Sequence, residues 1–215
     1  MLNPGFQVNL DVDGRDCLVI GGNDEATEKT GRLLDGNGRV RLVSPEITNQ
    51  LRTLCEAGLL RHEERPFEPR DLDGVFLVVN AVASDPELTA RVYELATARG
   101  LLINSFDNPA YSNFGMVALV RAGHLRLAVS TSNASPSLSR QLRQDLAALF
   151  DDEFVEYLER LAELRRHLKA SEPEVAKRRA QLRSAVEGFR FQGELRYPPD
   201  WRTRLAELLT DVPIN

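Results

Sequence analysis

Asp16-Cys-Leu-Val-Ile-Gly-Gly-Asn-Asp-Glu-Ala26 is the stretch on which the fold turns. Asp16 to Ile20 is a short apolar run bounded by Gly14 and Gly21-Gly22, the pattern of a buried parallel strand that ends in a tight turn. Asn23 to Leu34 follows, with Ala26, Leu33 and Leu34 as its apolar positions and Gly36 and Gly38 as its stop signal, which predicts a helix. A strand, a glycine turn and a helix in that order occupy the place of a dinucleotide fingerprint, and Gly21 and Ala26 fill the outer positions of G-x-G-x-x-A. The middle position, where a glycine normally lets the backbone approach a pyrophosphate, is Asn23. Asparagine tolerates left-handed backbone, so the turn is expected to survive with a side chain close to the phosphates. Asp24, Glu25 and Glu28 crowd the helix N-terminus, where they suit its dipole but compete with a bound anion. Taken alone, the motif reads equally well as a plain strand-turn-helix.

Outward from this stretch the alternation continues. Arg39 to Val43 predicts a second strand, Pro45 to Ala57 a helix with Ile47, Leu51 and Leu54 at helical spacing, and a third strand lies near Leu60. Val75 to Val79 is the strongest β-run. Asp85-Pro86 opens a helix to about Ala98, with an N-cap aspartate and proline at its first position, and Leu101 to Asn104 forms a fifth strand. Strands alternating with helices imply an α/β, doubly wound parallel sheet over residues 1–113, with its ligand crevice at the carboxyl ends of the strands. The first turn, Gly21 to Glu25, and the strand-four end, Ala81 and Val82, therefore line the expected nucleotide site. Strand two ends in Ser44-Pro45-Glu46 without a clear carboxylate for a ribose hydroxyl, although Ser44 is placed to contact one, so NAD and NADP both remain open.

The pattern changes after Asp107. Met116 to Val120 and Leu125 to Ser130 are β-runs joined by Arg121-Ala-Gly-His124, a hairpin with Leu125, Leu127 and Val129 on one face. Ser135-Pro136 caps a helix to about Leu149. These elements, residues 114–150, leave alternating apolar faces outside the parallel sheet, which predicts a dimerisation segment. Residues 151–215 read as a helical tail, with Phe154 to Leu168 its longest helix and Pro173, Gly188, Gly193 and Pro198-Pro199 as breaks.

Two polar motifs stand out. Asn104-Ser-Phe-Asp107-Asn-Pro109 follows strand five, so Asp107 should project into the crevice; an Asx turn before proline is the competing explanation. Ser130-Thr-Ser-Asn-Ala-Ser135 precedes a helix, and its small polar side chains with the helix N–H groups suit a carboxylate-binding nest, although a helix cap by Ser135 alone explains it too. His62, His124 and His167 are isolated and no metal-ligand spacing is present. Cys17 and Cys55 are far apart and read as reduced, as in a cytoplasmic protein. With 42% hydrophobic and 27% charged residues the chain suits a globular protein, and no uncharged apolar stretch is long enough to span a membrane. The formal net charge of −5 argues against a dedicated nucleic-acid binder. Residues 160–204 nevertheless hold twelve Lys and Arg against six Asp and Glu, either a solvated helix face or a landing surface for a polyanion.

In combination these motifs are more specific. The strand-Gly-Gly-helix, Val43-Ser-Pro-Glu46, Arg65-Pro-Phe-Glu-Pro-Arg-Asp-Leu-Asp-Gly74, Ser84-Asp-Pro-Glu87, Asn104-x-x-Asp107 and Val129 to Pro136 motifs, in that order, resemble the precorrin-2 dehydrogenase / sirohydrochlorin ferrochelatase family over roughly residues 5 to 150. The resemblance implies a Rossmann-type domain, a dimerisation segment, a helical tail and a homodimer. It implies NAD-dependent oxidation of precorrin-2, a tetrapyrrole octacarboxylate, to sirohydrochlorin and, in bifunctional members, insertion of Fe2+ as a second substrate in the same cleft. It places the essential carboxylate on Asp107 and the substrate contacts on Asn104, Ser130, Thr131, Ser132, Asn133 and Ser135. Departures from the family pattern fall at Asn23 for a glycine, Glu25 for an apolar residue, Ala83-Ser84 for Thr-Asp, and Ser132-Asn133 for Gly-Gly. They predict weakened NAD binding, with Asn23 obstructing and Glu25 repelling the pyrophosphate. A chelatase-only or tetrapyrrole-binding relative with a degenerate nucleotide site is the alternative.

Overall fold

A computed structural model describes residues 5–210. Its centre is a parallel five-stranded sheet in the order β3-β2-β1-β4-β5, formed by β1 (Asp16–Ile20), β2 (Arg39–Val43), β3 (Leu60–Glu63), β4 (Leu77–Asn80) and β5 (Leu102–Ser105). The helices α1 (Asp24–Asp35), α2 (Asn49–Glu56) and α3 (Pro86–Ala98) connect them, which is the Rossmann-type arrangement.

The continuous apolar runs have a plain cause: successive strand side chains enter different cores. Cys17 and Val19 pack with Ala26, Leu33 and Leu51 of α1 and α2. Leu18 and Ile20 pack with Val92 and Ala96 of α3 and with Ile103. A sheet covered on both faces needs no polar side, and alternation vanishes from its central strands.

Strand ends shift by one or two residues from expectation in β4, β5 and the first hairpin strand, and three of the boundary differences have a visible local cause. α2 begins at Asn49 and not near Pro45, because Thr48 caps it by accepting from Leu51 N. The fourth strand extends to Asn80, whose amide is held by the Thr89 hydroxyl at 3.1 Å. The turn of the hairpin formed by β6 (Ala118–Ala122) and β7 (Leu125–Val129) is two residues long and not four, since Ala122 pairs with Leu125. Gly123 takes φ 52°, the positive value that such a tight turn requires of its first residue.

Side chains close the β5 edge of the sheet, and an ion-pair network braces the β2–β3 side. Beside β5, Ser112 Oγ accepts from Ser105 N, Asn113 Oδ1 accepts from Ile103 N and Asn113 Nδ2 donates to Leu101 O, so the free strand edge is blocked. At the β2–β3 side, Asp71 is 1% exposed. It accepts from Arg65 at 2.6 and 2.9 Å, from Arg41 at 3.0 Å and from Glu68 N at 2.8 Å. Burial alone would raise this carboxyl, but the bonds from Arg65, the Glu68 backbone and Arg41, with the Arg65 charge, hold it at about 2.

The chain divides into two compact units, one ending at Asp151 and the other beginning at Asp152. The first also contains the hairpin and α4 (Pro136–Ala147), which pack on each other. Arg32 of α1 donates to Val117 O at 2.7 Å, Arg121 pairs with Asp35, and Phe114 and Met116 lie against the α1–α2 core, so the hairpin is fastened to the sheet domain. The second unit comprises α5 (Asp152–Ser171), α6 (Val175–Ser184) and α7 (Trp201–Thr210).

Candidate functional site

The carboxyl edge of the sheet is a single backbone row. Gly21 N donates to Val43 O, Ala81 N to Ile20 O and Phe106 N to Asn80 O, at 3.0, 2.9 and 2.8 Å. Each pairing runs one residue past its strand, so the first βα turn, Ala81 and the Asp107 loop open from one line.

Gly21 sits at φ 107°, and a β-carbon there would meet Val82 Cγ2 at 3.0 Å. Gly22 is required for a different reason: a β-carbon would lie 1.8 Å from Glu46 O, because the Ser44–Ile47 loop passes directly over it. Thr48 N donates to Gly22 O, and the Thr27 and Thr48 hydroxyls bond at 2.8 Å, locking this loop to α1.

Asn23 departs from expectation. Its φ of −83° is ordinary extended backbone, not left-handed, and although the residue is exposed its side chain is bonded at both ends. Oδ1 caps α1 by accepting from Ala26 N at 2.9 Å, and Nδ2 donates to Ala81 O at 3.0 Å, tying the first turn to the end of β4. The amide is thus engaged with protein at both its oxygen and its nitrogen. Glu25 forms a 2.6 Å ion pair with Lys29 one turn on, which offsets its charge. The N–H groups of Gly22, Asn23, Asp24 and Glu25 have no protein partner among the described residues and stand at the positive end of α1. These donors and the bare glycine backbone fit the diphosphate of a dinucleotide.

At the end of β2, Ser44 is buried and its hydroxyl donates to Glu46 O at 2.7 Å, so it is engaged inside the loop and not free for a ribose. His62 Nε2 bonds Ser44 O at 2.9 Å. Pro45, Glu46 and Ile47 line a cleft with Arg52, His62 and Glu64 beside the β2 and β3 ends. Ala81 is fully buried, and Val82 N donates to Asn80 Oδ1 at 3.1 Å.

Asp107 follows β5 with φ 52°, exposed, and its carboxylate makes no hydrogen bond among the described residues. An Asx turn is not formed: the turn is closed by the backbone, Asn108 N to Ser105 O at 3.2 Å. Asp107 is thus a non-glycine residue in left-handed backbone with an unengaged carboxylate at the sheet's carboxyl edge. Asn104, in contrast, is committed to structure, its amide donating to Phe114 O at 3.0 Å.

The Ser130–Ser135 segment is mostly self-satisfied. Thr131 Oγ1 donates to Ser135 O and accepts from Ser135 N, Ser130 Oγ accepts from Ser132 N, and Ser135 Oγ caps α4 by accepting from Leu138 N. Pro136 has no N–H to give, so the helix cap expected as the competing explanation is present and the nest is reduced. Ser132 and Asn133 take φ 52° and 66° in a turn closed by Ala134 N to Thr131 O. Two consecutive left-handed residues explain why the resembled family carries Gly-Gly there. The pairing of Ala118 with Val129 brings this segment back beside Val117, which Arg32 holds. No hydrogen bond joins it to Asp107 or to the first turn among the described residues.

Sequence reading missed Asn113, Ser112 and Arg32, polar residues outside any recognisable motif whose partners are distant backbone atoms. Among the described residues no group of three His, Cys, Asp or Glu is arranged to hold a metal ion, and no helix is long and apolar enough to cross a membrane. Cys17, buried, and Cys55 are both free thiols; burial pushes Cys17 up to about 11.

Comparison with known proteins agrees with this geometry. Residues 8–118 match a family described as "Putative NAD(P)-binding". The chain is 34% identical over 200 residues to siroheme synthase of Pseudomonas entomophila, covering 93% of this chain and 43% of that protein. It is 31% identical over 211 residues to siroheme synthase of Thioalkalivibrio sulfidiphilus, covering 98% and 38%. The chain therefore spans well under half the length of these relatives. The solved precorrin-2 dehydrogenase SirC matches with TM-score 0.74 at 25% identity, over 86% of this chain and 90% of that one.

Proposed function

This chain belongs to the NAD(P)-binding family that its residues 8–118 match, and from that membership we propose that it is an NAD-dependent precorrin-2 dehydrogenase of siroheme biosynthesis. The observation that carries the reading is the pairing of a diphosphate-ready first turn with the unengaged Asp107 carboxylate on the same sheet edge. Similarity to SirC over nearly its whole length supports it.

When bound, NAD supplies the acceptor for the hydride that leaves the reduced macrocycle. The chain's own residues do the rest. The N–H groups of Gly22 to Glu25 hold the diphosphate, with Gly21, Ala81 and Val82 as the floor and Pro45 beside the adenosine end. Oxidation releases a proton as well as a hydride, and an Asp107 carboxylate oxygen takes that proton. Ser130, Thr131, Ser132, Asn133 and Ser135, with Asn104 bracing the strand, shape the substrate side. Since those hydroxyls are largely engaged, their role is to position backbone and the Asn133 amide, which is exposed.

Further parts of the reading are that the chain acts in the cytoplasm as a homodimer, and that Fe2+ insertion into the product occurs in the same cleft, with the macrocycle nitrogens as ligands and Asp107 as proton acceptor. Asp107→Asn tests the assignment. It should fold and bind NAD as the parent does, because asparagine suits left-handed backbone at least as well, while precorrin-2 oxidation falls by about 100-fold or more. A parental rate would make Asp107 a turn residue only.

A further inference from the structure

The helical unit is electrically uneven. Asp152, Glu153, Glu156 and Glu159 fill the start of α5, whereas residues 160–183 hold eight Lys and Arg against three Glu. α5 and α6 run antiparallel, because the Tyr157 hydroxyl donates to Ala185 O at 3.0 Å near the first turns of one and the end of the other. Their seam is apolar, with Leu161, Leu168 and Leu182 turned inward.

Helical rotation sets Arg165 and Lys169 one turn apart on one flank of that seam, and Arg179 and Arg183 one turn apart on the facing helix. Reversal of the chain puts both pairs on the same side. In axial order they read Arg183, Arg179, Arg165, Lys169, a row of roughly 15 Å at 1.5 Å per residue. All four are exposed, and none of the four side chains has an ion pair or hydrogen bond among the described residues. Of the neighbouring cations, Arg160 pairs with Glu156 and Glu163, Lys177 with Glu174, and Arg178 donates to the Glu172 and Pro173 carbonyls, while Arg166 is exposed and has no side-chain partner among the described residues.

We propose that this flank of α5 and α6 is a binding site for a polycarboxylate tetrapyrrole, engaged through the acid groups on the rim of the macrocycle. The choice of macrocycle rests on the dehydrogenase reading; the demand for a polyanion rests on the charges alone. Residues up to Asp151 carry fifteen Lys and Arg against twenty Asp and Glu, so the nucleotide-binding unit repels a multiply charged anion at long range. The cationic row supplies the opposite field and lets one rigid ligand with several carboxylates satisfy several cations at once.

Fluorescence titration of the full chain with uroporphyrin, an octacarboxylate, and coproporphyrin, a tetracarboxylate, tests this. Uroporphyrin should bind more tightly, and its affinity should fall steeply with added salt. Arg165→Gln with Lys169→Gln, and separately Arg179→Gln with Arg183→Gln, should each weaken uroporphyrin by about tenfold, while Arg179→Lys with Arg183→Lys stays within about twofold. Calorimetric NAD affinity should not change in any of these variants. Equal affinity for the two porphyrins, or parental uroporphyrin affinity in both glutamine variants, would overturn the proposal. So would tighter binding of an RNA duplex to the same residues. Charge-dependent uroporphyrin binding in a chain that fails to oxidise precorrin-2 would uphold this site and remove the dehydrogenase reading.

Discussion

Asn23 and Asp107 both stand at the sheet's carboxyl edge, and the fold treats them oppositely. Asn23 spends both ends of its amide on the protein, capping α1 and reaching 58 residues along the chain to Ala81 O. The glycine it replaces in the family pattern could do neither. Asn23→Gly should therefore lower stability by about 1–2 kcal/mol through the lost cap and cross-link, and calorimetry should find NAD affinity unimproved. Tighter binding with unchanged stability would mean that the amide does obstruct the pyrophosphate. The identity of Asn23 was legible as a departure from the fingerprint; its direction was not, because its partner lies on a strand far away in sequence. Asp107 was placed correctly on the strand-five edge by the alternation of elements. That its carboxylate has no hydrogen-bond partner among the described residues could be learnt only from coordinates.

Elements were legible where their cause is local. β1, β2 and α3 fall where run length, Gly breaks and the Asp85-Pro86 cap put them, since each signal lies within the element. The start of α2 was misplaced because proline at Pro45 imitates a first helical position, while the capping hydroxyl is three residues on. The Asp71 network was invisible for another reason. It joins β2, the β3 end and a short 3₁₀ turn, Pro69–Leu72, through residues thirty positions apart. It has a consequence for stability. Asp71 titrates at about 2 in the fold against 3.8 ordinarily, so the folded state binds its proton less readily than the unfolded chain. Its contribution is complete above about pH 4 and is lost as the pH falls through about 2. Asp71→Asn should cost about 3 kcal/mol at neutral pH, because two arginines lose their buried partner. Urea unfolding should show the variant's deficit nearly the same at pH 7 and pH 4 and clearly smaller at pH 3; a deficit equal at all three would assign Asp71 a packing role only.

At the scale of the molecule, the parallel sheet is covered on both faces and the segment after it is not. A two-stranded ribbon is marginal alone, and β6–β7 leaves Leu125, Leu127 and Val129 only half-buried while α4 has no buried residue and exposes Leu138. The homodimer proposed above would cover these faces, and on that proposal sedimentation at micromolar concentration should give twice the 24.1 kDa of one chain; a monomer would contradict it. The catalytic account stands or falls on one reaction. Under anaerobic conditions, purified protein with precorrin-2 and NAD should form NADH and sirohydrochlorin together, in equal amounts and at a rate proportional to protein. Sirohydrochlorin appearing without NADH, or no conversion by a chain that binds NAD, would contradict it.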